Sequence, residues 1–152
     1  MLIILILLSY LRYNLKYRDE YEIIQLTPSK LTYDILNEKN PIVVDSDVGD
    51  VQGFVSKAFK YTYLYDSKRT IDSIDDIIDN NAKFVVLHTK EDNAIEIMNP
   101  KYKKNNYKSV VVKIKRNQLL ILPMYWRFKS SKSVECIFLH DIFSCLYQAF
   151  AI

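Results

Sequence analysis

At Ala82 the hydrophobic period of this chain changes, and that change limits its folds more than any other feature. Beyond it, apolar residues recur at every second position. Six segments follow one another: KFVVLHT, NAIEIMN, SVVVKIKR, QLLILP, YWRFKS and VECIFLH. They are rich in β-branched and aromatic residues and are separated by polar turns such as KEDN and KYKKNNY. Alternation over such lengths gives a strand two chemically different faces. About six consecutive strands of this kind predict a sandwich, barrel or roll. The closing DIFSCLYQAF reads as a helix, with Asp141 as its cap.

The first half has a mixed pattern. QLTPSKLTYDILNEKN predicts a helix capped by Thr27 with Pro28 at its first position, Leu31, Ile35 and Leu36 sharing one face. PIVVDS predicts a short buried strand. VGDVQGFVSKAF predicts a second helix, with Val48, Val51, Phe54, Val55 and Phe59 on one side. KYTYLY alternates and predicts a strand. RTIDSIDDIIDNN predicts a helix, because Ile71, Ile74, Ile77 and Ile78 fall at helical spacing with aspartates outside. The expected class is therefore α+β, mostly β in its C-terminal part, with short helices first. The expected organisation is an apolar segment over 1–18 and one domain over 19–152.

Composition excludes several function classes. Only two glycines occur in 152 residues, and no Gly-rich phosphate loop, CxxC, GxSxG or HExxH motif is present. A net charge of +3 is too weak to imply a nucleic-acid partner. The basic cluster Lys101 to Arg116, with its interleaved tyrosines, is read as a solvated hairpin with lysines on an exposed strand. Single strands or anionic lipid are the competing uses of such a patch. The aspartates of DSIDDIIDNN are interrupted by isoleucines and do not fit a calcium loop. Cys136 and Cys145, on a strand and a helix, are expected as free thiols in a reducing compartment.

LIILILLSYL, Leu2 to Leu11, is almost wholly apolar and precedes Arg12, Lys16 and Arg18. It is about half the roughly 20 residues of a spanning helix. It also lacks the basic leader of a secretory signal. Two readings stand. One is a membrane contact through residues 1–17, with Tyr10, Tyr13 and Tyr17 as interfacial aromatics. The other is a strand or helix packed on the domain.

Three further pieces carry a resemblance: TPSKLTYDILNEKNPIVV, AIEIMNPKY and NQLLILPMYWRFKSS. In this order they resemble stretches of cupin-like domains of the JmjC type, the asparaginyl-hydroxylase kind. The third is the most specific, through PMYW. The resemblance spans roughly residues 25 to 140. It implies a double-stranded β-helix of the cupin or jelly-roll type. In that family a His-x-Asp/Glu pair and a distant second His bind Fe(II), leaving sites for 2-oxoglutarate and oxygen. Here the pair falls near Asp79 to Asn81, read as DNN, and the second His falls at Phe128. Neither position holds an imidazole. Pro123, Tyr125 and Trp126 remain as a structural corner, the two aromatics supplying large buried surfaces.

The chain has two histidines, His88 and His140. With Glu91 and Asp92 they form the alternative ligand set, although positions 88 and 91 of a strand point to opposite faces. The resemblance thus implies a non-catalytic cupin-like binding or scaffolding domain that needs no cofactor. The alternatives are a dioxygenase using Fe(II) and 2-oxoglutarate through the atypical set, and a virion structural jelly roll. Small ligand-less cupin-like proteins of large DNA viruses have a similar apolar N-terminus and a similar Ile/Lys/Asn/Tyr-rich composition. The expected setting is the cytoplasm or a membrane surface in a reducing compartment, in a virus-infected cell if the viral likeness holds. Oligomerisation is compatible with all three readings.

Overall fold

The computed structural model of the protein describes residues 1–15, 20–45, 48–72, 75–100 and 108–150. The elements run α1 (Leu2–Leu15), β1 (Ile24–Leu26), a 3-10 turn (Pro28–Lys30), α2 (Tyr33–Asn37), β2 (Ile42–Val44), α3 (Val51–Ala58), β3 (Tyr65–Ile71) and β4 (Ile78–Asp79). There follow β5 (Phe84–His88), β6 (Asn93–Met98), β7 (Ser109–Ile114), β8 (Leu119–Pro123), β9 (Arg127–Ser130), β10 (Val134–His140) and α4 (Ile142–Phe150). The fold is α+β and mostly strand, as the sequence predicts.

The strands form two sheets, a larger one in the order β1-β2-β8-β5-β10-β3 and a smaller one in the order β4-β9-β6-β7. Among the described residues only β1 and β2 pair in parallel, and residues 27–41 supply the crossover that a parallel pair needs. The sheets share one core, to which Val85, Leu87, Leu120 and Leu122 contribute from the larger sheet and Ile95, Ile97 and Phe128 from the smaller. A second core lies on the other face of the larger sheet. There Phe84, Val86, Leu119 and Ile121 meet Leu36 of α2 and Val55 of α3, with Phe59 just beyond. The larger sheet is thus covered on both sides, which is why FVVLH and LLILP are buried at every position.

All six C-terminal strands and α4 lie where the period-two pattern puts them. Asp141 Oδ1 accepts from Ser144 N at 2.8 Å, so α4 has its expected cap. Val48, Val51, Phe54, Val55 and Phe59 all join the helix-side core, as read for α3. Its N-terminus is capped by Asp50, whose Oδ1 accepts from Gly53 N at 2.9 Å.

Three expected elements differ. The helix from Thr27 is broken: Thr27 makes no side-chain cap, and Pro28 opens only the 3-10 turn. The helix restarts after Thr32, whose Oγ1 accepts from Ile35 N at 3.4 Å. KYTYLY is not a strand, because Thr62 folds back onto the Phe59 carbonyl through both its N–H and its hydroxyl, and extended chain begins only at Tyr65. The helix expected over Arg69 to Asn81 is absent at its ends. Arg69 to Ile71 pair with Val134 to Cys136, and Ile78 and Asp79 pair with Phe128 and Arg127. Ile71 and Ile78 reach one core from two different strands, and this mimics helical spacing in sequence. Ile74 lies outside the described residues.

α1 is a helix, but residues Leu2 to Leu5, Leu7 and Leu8 are exposed, so they are not packed on the domain. Its 14 residues span about 21 Å, and no helix among the described residues is long and apolar enough to cross a membrane. Lys16, Tyr17 and Arg18 lie outside the described residues, as do Lys101 to Tyr107 of the basic cluster.

Candidate functional site

The two segments to which the resemblance assigns metal ligands lie side by side. β4 and β9 are antiparallel, with Ile78 opposite Phe128 and Asp79 opposite Arg127. On its other side β9 pairs with β6, placing Ile97 opposite Phe128. Phe128 is fully buried in the inter-sheet core, where Ile78 also packs. Asp79 and Asn81 are exposed. The inward positions of this segment are therefore Ile78 and Asn80, one residue ahead of those the resemblance implies.

Asn80 is the residue that sequence spacing passes over. Its side chain is fully buried. Nδ2 donates to the carbonyls of Leu122 at 3.3 Å and Pro123 at 2.9 Å, while Oδ1 accepts from Ala82 N at 3.0 Å. Its backbone N–H donates to the Trp126 carbonyl and its own carbonyl accepts from Tyr125 N. One asparagine thus fastens the DNN segment to the corner. The signal was an amide flanked by turn residues, which resembles an ordinary loop.

The corner holds its shape differently from expectation. Trp126 is buried, but Tyr125 is only partly so, and Met124 goes inside instead. Tyr125 adopts φ of 70°, a left-handed conformation that a bulky residue rarely takes, at the turn that redirects β8 into β9. Its ring meets Tyr147 of α4 edge-on at 5.2 Å.

The residues of the alternative ligand set are dispersed. His88 lies opposite Glu135 on β10, and His140 lies five residues further along that strand, about 16 Å away at the usual rise. His88 Nδ1 and Glu135 Oε2 are 3.4 Å apart, and Lys90 approaches the other carboxylate oxygen at 2.9 Å. Glu135 is consequently held below the ordinary glutamate range, first by Lys90. Glu91 pairs instead with Lys132 at 3.2 Å, and Asp92 accepts from Arg116 N at 3.0 Å. His140 stacks on Tyr65 at 4.7 Å and contacts Ser67 and Gln148. Burial lowers its pKa. No group of three potential metal ligands occurs among the described residues.

Cys136 and Cys145 are free thiols. Burial drives the Cys136 pKa up to about 12, which makes it inert as a thiolate source. Cys145 lies 3.7 Å from the Tyr65 hydroxyl.

Two open sites lie among the described residues. A groove of about 280 Å³ is lined by Gln52, Lys68, Thr70, His88 and Glu135, where Gln52 Oε1 and His88 Nε2 are buried without a hydrogen-bond partner. A larger cleft of about 620 Å³ opens beside Trp126, between the chain leading into β1, the turn after α2, and Asn99 at the end of β6. Among the described residues, its walls carry Glu20, Glu22, Asp34 and Glu38 against one lysine, Lys39.

Comparison with known proteins finds no matching protein-family model and no matching curated protein.

Proposed function

We propose that this chain is a non-catalytic cupin-like domain of the JmjC type, a double-stranded β-helix that has kept the corner of an active site and works by binding. One observation carries the reading. The β4 and β9 segments meet as ligand-bearing strands would, yet their inward positions hold Ile78, Asn80 and Phe128. A phenyl ring and a butyl group offer no lone pair, and an amide is a poor ligand for Fe(II) compared with an imidazole. These side chains do not fit an iron centre, so no chemical step is assigned to one. The wide separation of His88 from His140 also speaks against the atypical ligand set. The domain is tethered to membranes by α1, whose residues Leu2 to Leu5, Leu7 and Leu8 are exposed.

The test is incubation of purified protein with Fe(II), ascorbate and 2-oxoglutarate, measuring succinate and bound iron. The expected result is succinate at the no-protein level and sub-stoichiometric iron. Protein-dependent succinate that disappears in His88→Ala or His140→Ala would restore the dioxygenase reading.

A further inference from the structure

The cleft beside Trp126 makes two chemical demands on whatever fills it. Its walls bear four carboxylates, those of Glu20, Glu22, Asp34 and Glu38, and none of these forms an ion pair among the described residues. Asp34 sits in the first turn of α2 and Glu38 at its C-cap, so one short helix holds two of them toward the same opening. Like charges gathered around a concave wall focus a negative potential there. The first demand is a cation.

The second comes from Trp126, which lines the cleft, is 1% exposed, and has a buried indole N–H with no acceptor. A buried donor left unmade costs about 1–3 kcal/mol, which a ligand acceptor would recover. Tyr21 stands edge-on to the indole at 4.8 Å and lines the same space. Such an aromatic wall also attracts a cationic side chain.

We propose that this cleft binds a lysine- or arginine-bearing segment of a partner polypeptide, its side-chain cation held by the carboxylates and a backbone carbonyl accepting from Trp126. A polyamine meets only the first demand, since its protonated nitrogens accept nothing. A free basic amino acid brings a carboxylate that the acidic wall repels. A peptide carbonyl flanked by cations meets both, and the volume falls within the roughly 300–1,000 Å³ of small-ligand clefts. The inference gives a ligand class to the binding domain proposed above and rests on that reading.

Trp126 is the only tryptophan in the chain, so its emission reports on the cleft. The full chain is titrated with an acetylated, amidated Gly-Lys-Arg-Gly peptide, with its Glu-Glu counterpart and with spermidine, and binding is read in parallel by calorimetry. The basic peptide is expected to bind saturably and the other two are not. Affinity should fall about fivefold in the exposed-site variant Glu20→Gln/Glu38→Gln, whose thermal midpoint should match the parent. It should fall further near 1 M salt, where the Debye length is about 3 Å. No saturable heat with the basic peptide, equal binding of spermidine, or an unweakened double variant would each overturn the proposal. Such a failure leaves the non-catalytic reading standing. Succinate formation would remove that reading without touching the titration.

Discussion

Asn80 and Phe128 do opposite kinds of work within a few ångströms of sequence-defined corner. Phe128 fills space between the sheets, while Asn80, itself fully buried, hydrogen-bonds two carbonyls and an amide. Asn80→Ala should therefore cost about 3 kcal/mol in urea denaturation; a loss below about 1 kcal/mol would mean water replaces the amide. His140 gives a pH signature. Its folded pKa lies below the ordinary 6.5 because burial disfavours the imidazolium, opposed by Asp141. The unfolded chain thus binds the proton first, and stability present above about pH 6.5 declines as pH falls toward the folded value. His140→Gln should flatten this part of a plot of thermal midpoint against pH. Glu135, also depressed, acts in a separate window that opens below its ordinary 4.5, and the half-exposed pair with Lys90 makes its share small.

Among the elements, α3 shows how a helix start can depend on a missing side chain. A Cβ at Gly53 would collide with the Asp50 carboxylate that caps the helix. Alanine normally favours a helix interior over glycine by about 1 kcal/mol. Here the cap must move to admit the methyl, so Gly53→Ala should forfeit that gain and be near neutral, while Asp50→Ala should cost about 1 kcal/mol. In the double variant Gly53→Ala should regain its usual advantage, since there is no longer a cap to displace; a thermal-melt cycle checks this. α1 makes a contrasting prediction. Its residues Leu2 to Leu8 add almost nothing to either core, so deleting residues 1–8 should leave the thermal midpoint within about 2 °C, on the scale of a surface change. The same deletion should abolish co-sedimentation with anionic vesicles, and retained sedimentation would place membrane contact elsewhere.

At the scale of the whole molecule, one sheet separates two cores. Ile121 and Leu122 are neighbours in β8, yet Ile121 packs toward the helices and Leu122 toward the smaller sheet. Each truncation to alanine should cost about 2–5 kcal/mol, and the double variant should lose nearly the sum, because the two side chains share no cavity. A large coupling in denaturant unfolding would show the cores to be one. By itself the sequence determined the six C-terminal strands, α3 and α4, because there local period, turn residues and capping all agree with the tertiary partner. Only the tertiary structure decided residues 69–79, where isoleucines at helical spacing are claimed by two strands. There the ladder formed with β10 outweighs a weak local helical preference. It likewise decided that Asn80 would turn inward and that Glu20, Asp34, Glu38 and Trp126 would share one cleft. Glu20 and Trp126 lie 106 positions apart, and no local pattern records a meeting brought about by long-range closure of the fold.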